Sequence, residues 1–262
     1  MVAFRSSSPA QGIGPADGAV PHFGPAVGLR VPNGDYVYTE ASDYLFGPDW
    51  VAHPGVWGEL YQHATWFSPA DASGRETGTA NYGVPGGGND VTYGPGDYVG
   101  DTGDLSYLSL DPTTLAEQLR VRTAPNGASP EPYQDWAGPG PDGHVTAGLV
   151  RAIGELLLDG NATPELKAAL FHVLVGLDGA VVDETATDPV GRPAVEVSID
   201  TEGRLHHLWF DAVSQQLMAR TDGSGADQET LIMQRAGVVA ATDSTKLTSR
   251  FMPDATTAPS AP

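Results

Sequence analysis

An α+β fold, a curved antiparallel half-barrel sheet packed on helices, is predicted by three observations. Past residue 34, the first half of the chain holds strand-like segments of alternating residues. Adjacent segments in the middle carry apolar side chains at helical spacing behind good caps, and the period returns to two after Gly176. Strands, helices and strands in this order make a single domain over 35–241, between an extended lead-in (1–34) and a flexible C-terminal tail (242–262).

Residues 1–34 are rich in Gly, Pro, Ala and Ser and sustain neither period. "DYVYTEA" (35–41) follows the Asn33-Gly34 turn signal and places Tyr36 and Tyr38 on one face, Val37 and Thr39 on the other. "HATWFS" (63–68), the turn-like "PADASG" and "RETGTANY" (75–82) read as a hairpin in which Trp66 and Phe67 point to opposite faces. Asp111 is an N-cap with Pro112 at the first helical position and Leu115 and Leu119 one turn apart. A second helix over about 144–158 lines up Leu149, Ile153, Leu156 and Leu157. The third starts at Thr163-Pro164, carries Leu166, Leu170, Val173 and Leu174, and ends at Gly176, so "DGNAT" joins an αα-hairpin. Beyond it, "AVVDETATD" (180–188), "PAVEVSI" (193–199), "RLHHLWF" (204–210), "QQLMART" (215–221) and "ETLIMQRAGVVAA" (229–241) alternate with polar turns as an antiparallel meander.

These segments also carry a resemblance. "DYVYTE", "WFSPADASGRE", "GDLSYLSLDPTTLAEQLRVR", "GLVRAIGELLLDGNATPELKAALFHVLVGL", "TDPVGRPAVEV" and "HLWFDAVSQQLMART" stand in an order that resembles a family of actinobacterial proteins of unassigned function. Those proteins are similar to ectodomains of single-pass membrane proteins linked with extracytoplasmic sigma-factor systems. The resemblance implies the lipoprotein-carrier fold of LolA and RseB and an extracytoplasmic or cell-surface location. It brings no catalytic residues with it. The turn after "FD" (210–211) has neither the Pro nor the Gly usual in that family.

Charge and composition exclude several functions. With 33 Asp and Glu against 13 Lys and Arg, the net charge is −20 and the surface repels phosphate backbones, so no nucleic-acid partner is expected. The absence of cysteine removes disulfides, thiolate zinc sites and Cys nucleophiles. No run of about 18 apolar residues and no export signal occurs in these residues, so any membrane anchor is expected outside them. No Gly-x-Ser-x-Gly elbow, Walker loop or His-Glu-x-x-His pairing is present, and the sequential His206 and His207 face opposite sides of a strand.

Two candidate sites remain. "PGGGNDVTYGPGDYVGDTGD" (85–104) holds Asp90, Asp97, Asp101 and Asp104, hard oxygen ligands suited to calcium. Their irregular spacing breaks the stacking of a calcium repeat, and the stretch reads as an acidic Gly-rich loop. Acidic residues of this loop could alternatively serve a secreted hydrolase, given two converging carboxylates with one raised pKa. "DGSGAD" (222–227) lacks the ligand pattern of a calcium loop and reads as a hairpin turn. The second candidate is aromatic: Tyr44, Trp50, Trp57, Tyr61, Trp66 and Phe67 cluster in sequence and suit an apolar small molecule, a lipid or a peptide held in the sheet's concave face. The functional expectation is a noncatalytic binding or sensing module with a membrane-anchored or cell-surface partner protein. A purely structural or interaction role is the other noncatalytic reading, and no cofactor is expected unless calcium binds.

Overall fold

Alternating residues in the first half of the chain form β1 (Tyr36–Tyr44), β2 (Tyr61–Phe67), β3 (Gly74–Ala80) and β4 (Gly88–Tyr93). The structure is a computed structural model and describes residues 31–44, 61–80, 88–97, 105–123, 147–159, 162–201, 203–223 and 229–255. The turn between β2 and β3 is fastened by Asp71, whose Oδ1 accepts from the Ser73 amide and hydroxyl. β4 corrects the reading of 85–104 as loop throughout. Gly88–Tyr93 pairs with β3, and Asp90 takes both Nε–H and Nη2–H of Arg75 at 2.8 Å. A cross-strand ion pair thus replaces the apolar stripe that would have marked this strand.

Among the described residues, the helices are α1 (Pro112–Thr123), α2 (Ala147–Leu158) and α3 (Pro164–Val175). Asp111 Oδ1 accepts from the Thr114 amide at 2.9 Å, and Thr163 Oγ1 from the Leu166 amide at 3.2 Å, so both expected caps are made. Leu149, Ile153, Leu156 and Leu157 of α2 are buried with Leu166, Leu170, Val173 and Leu174 of α3, and the three helices pack on one another. Phe171 of α3 meets Phe210 edge to face with ring centroids 5.0 Å apart.

The second set of strands is β5 (Val181–Asp183), β6 (Val195–Thr201), β7 (Arg204–Phe210), β8 (Leu217–Asp222) and β9 (Glu229–Val239), with a short β10 (Ser249–Arg250). β5 is shorter than expected because Asp183 Oδ1 accepts from the Thr185 amide and hydroxyl, turning the chain out of the ladder. In the turn after Phe210, Gln215 takes the left-handed position that glycine usually fills, at φ 59°. Asp211 Oδ2 holds that turn through the Ser214 amide and hydroxyl.

All pairings are antiparallel, in the order β4-β3-β2-β1-β9-β8-β7-β6-β5, with β10 also on β9. The central pair is therefore β1 with β9, the first strand against the last long one. The two outer strands, β4 and β5, are consecutive in the chain, and the segment that contains the helices connects them. The sheet does not close. Val197, Ile199, Leu208, Phe210 and Leu217 share one core with the helices.

Residues 242–255, expected as part of a flexible tail, instead return along β9. The Thr248 amide donates to Val238 O, Phe251 to Ala236 O and Ala255 to Gln234 O, and Phe251 and Met252 are buried. β9 accommodates both neighbours by sharing one edge: β8 pairs with its first residues, the returning segment with its last. The fork between them is filled by the buried Arg192 of "TDPVGRP". Its Nη1 donates to Met233 O and Pro253 O, its Nη2 to Met218 O, and its Nε to Asp188 Oδ2 at 2.6 Å. At Gly237 a Cβ would meet Ser249 O at 2.2 Å, so this close approach of backbones requires glycine.

Candidate functional site

Among the described residues, a dense group of ionisable side chains lies where α2 crosses the sheet. Its centre is Arg220 on β8, which is 5% exposed and projects toward α2 beside Gly154. A Cβ at Gly154 would sit 3.1 Å from Arg220 Nη1, so the small residue lets the guanidinium lie against the helix. Three carboxylates converge on it: Glu155 of α2 at 2.7 Å, Asp222 of β8 at 3.7 Å and Glu229 of β9 at 3.8 Å. Arg151, one helical turn before Glu155, reaches Glu155 and Glu229 at 3.9 Å each.

A second layer holds the buried carboxylate. His206 Nδ1 lies 2.6 Å from Asp222 Oδ1, and its Nε2 lies 2.8 Å from the Thr201 hydroxyl. Burial pushes Asp222 up, but the His206 hydrogen bond and the Arg220 charge hold it below the usual carboxylate range. Burial pushes Arg220 down, yet Glu155 and Asp222 outweigh it and its pKa is raised.

Asp43 on β1 completes the cluster. Its Cα pairs with Leu231 of β9, and Leu231 pairs with Arg220, so register carries Asp43 to the same level of the sheet as the guanidinium. Asp43 Oδ1 is buried without a hydrogen bond, and Oδ2 lies 3.7 Å from His63 Nδ1 on β2. Burial pushes Asp43 up to about 7; Arg220 opposes this, while Glu229 and Glu155 add to it. Burial also lowers His63, whose ring is more stable neutral here. The cluster therefore pairs a carboxyl that titrates near neutrality with carboxylates already committed to arginine.

The aromatic candidates fall in different places. Trp66 is buried on the side of the returning C-terminal segment. Its indole N–H donates to Ser244 O at 2.8 Å, its ring lies 5.0 Å from Tyr38, and Arg75 stacks over it. Phe67 is buried on the opposite face, so Trp66 and Phe67 do not line one pocket. Tyr44 ends β1 next to Asp43, and Tyr61 begins β2 with its Cα paired to Asp43. Trp50 and Trp57 lie outside the described residues.

Asp90 and Asp97 are exposed, and Arg75 holds Asp90 below the usual carboxylate range. Asp101 and Asp104 lie outside the described residues, among which no group of three or more metal-ligating side chains occurs. His207 stacks on Trp209 with ring centroids 5.4 Å apart and bonds Glu196, whereas Phe210 joins the helix-side core.

The polar cluster escaped sequence reasoning because its members come from β1, β2, β7, β8, β9 and α2. The usable signal was an arginine and an aspartate inside an otherwise apolar strand, "LMARTD". Comparison with family models, curated proteins and solved structures finds no match to this chain. Among the described residues, no helix is long and apolar enough to cross a membrane.

Proposed function

We propose that this chain is a noncatalytic, extracytoplasmic binding or sensing module built as a lipoprotein-carrier-like half-barrel with an αα-hairpin. The observation that carries this reading is the uneven helix layer. Among the described residues, the helix-side core takes residues from β6, β7 and β8 and none from β1–β4, so the described part of that half of the open sheet lies outside it. An apolar small molecule, lipid or peptide would lie along that half, near the end marked by Tyr44 and Tyr61. The resemblance in the ordered sequence segments favours the same compartment and a membrane-anchored or cell-surface partner. Titration with a long-chain fatty acid and with a short apolar peptide tests this: either ligand should raise the melting temperature by mass action. No shift with both would count against ligand carriage.

A second reading, hydrolysis by paired carboxylates, draws support from Asp43, which is pushed up to about 7 beside Glu155 and Glu229. It moves the acid away from the 85–104 loop, where Asp90 is neutralised by Arg75. Turnover of ester, peptide or glycoside substrates that disappears in Asp43→Asn would favour it over binding alone.

A further inference from the structure

We infer that the seat of α2 on the sheet is a proton-operated latch, closed while Asp43 carries a proton and loosened when that proton passes to solvent. The inference does not depend on what the module binds. Its basis is the arrangement of charge around one guanidinium. Arg220 already faces Glu155, Asp222 and Glu229, and Arg151 is shared between Glu155 and Glu229. Among the described residues no arginine forms an ion pair with the fourth carboxylate, Asp43, and the His63 imidazole 3.7 Å away is more stable neutral.

The described elements around Asp43 bring these groups. β2 presents His63, β7 His206, β8 Arg220 and Asp222, β9 Glu229, and α2 Arg151 and Glu155. His206 is committed to Asp222 and Thr201, so it does not neutralise Asp43. β3 meets His63 with Gly78, which brings no charge. Ionised Asp43 therefore competes with Glu155 and Glu229 for Arg220 in a partly desolvated site, where like charges repel strongly.

Glu155 is the group able to yield. Its side chain is 34% exposed against 6% for Asp222, and it bonds Arg220 from the helix side. Gly154 beside it leaves room for the guanidinium, since a Cβ there would sit 3.1 Å from Nη1. Displacing Glu155 toward solvent thus releases the polar half of the α2 contact and leaves its apolar stripe in the helix-side core.

The geometry agrees with the direction of the titration: burial together with Glu229 and Glu155 outweighs Arg220 and raises Asp43 to about 7, so the switch falls in the physiological range.

The test uses the full chain labelled for carboxyl-carbon NMR, with hydrogen exchange of α2 followed from about pH 5 to about pH 8 and corrected for intrinsic rates. The latch predicts an Asp43 midpoint near 7. It also predicts exchange in 147–158 that quickens by roughly tenfold across that range, with the change lost in Asp43→Asn. An Asp43 midpoint in the ordinary carboxylate range would overturn the proposal. So would a midpoint near 7 with unchanged α2 protection, and both of these results come from the unmutated chain even if the variant does not fold.

Discussion

Asp43 shows how far one buried side chain can depart from its intrinsic chemistry. A carboxyl raised in the folded state binds its proton more tightly there than in the unfolded chain. Its contribution to stability is therefore complete below the unfolded carboxylate range and is lost as pH rises to about 7. Asp43→Asn removes that dependence, so the melting temperature of the variant relative to the parent should climb between about pH 4 and about pH 7 and then level off. A constant difference across the range would contradict the raised pKa. Asp222 has the opposite sign: held low by His206 and Arg220 despite burial, it adds stability above the usual carboxylate range that is lost on acidification. Neither shift was legible in the sequence. Alternation stopped short of both residues, with Asp43 beyond "DYVYTEA" and Asp222 assigned to the "DGSGAD" turn, and the burial and neighbours that set their protonation come from residues far apart in the chain.

At the scale of elements, "TDPVGRP" is a turn that acts as a joint. Replacing Arg192 with Met would leave Asp188 charged and buried and would strip hydrogen bonds from Met218, Met233 and Pro253 carbonyls. The expected loss is about 3–5 kcal/mol, read by denaturant unfolding; a loss under about 1 kcal/mol would mean that the fork is held by other contacts. Gly237→Ala should detach the returning C-terminal segment, because its Cβ would meet the backbone carbonyl of Ser249 at 2.2 Å, in addition to the Leu247 side chain. Faster amide exchange over 248–255 with β6 and β7 unaffected would report this. The helices were legible from caps and stripes, since Asp111, Thr163 and the Leu/Ile rows are local signals. β4 and the 242–255 segment were not. Their pairing depends on Arg75 with Asp90 and on the free half of the β9 edge, which no local pattern announces.

For the whole molecule, the balance of 13 basic against 33 acidic residues makes self-repulsion a global cost to compactness. Added monovalent salt, from roughly 0.01 M to 0.15 M, should therefore raise the melting temperature as the screening length contracts. A fall would mean that surface ion pairs, such as Arg250 with Asp254, dominate over net repulsion. The antiparallel sheet with helices was legible from the succession of periods, whereas the β1–β9 pairing that merges both halves into one sheet was not. The binding account depends on the part of that sheet left outside the helix layer. Native mass spectrometry of the full chain purified from its own host tests it most directly. The account predicts polypeptide accompanied by the added mass of a lipid, small apolar molecule or peptide. Folded protein carrying only its bare mass would contradict it.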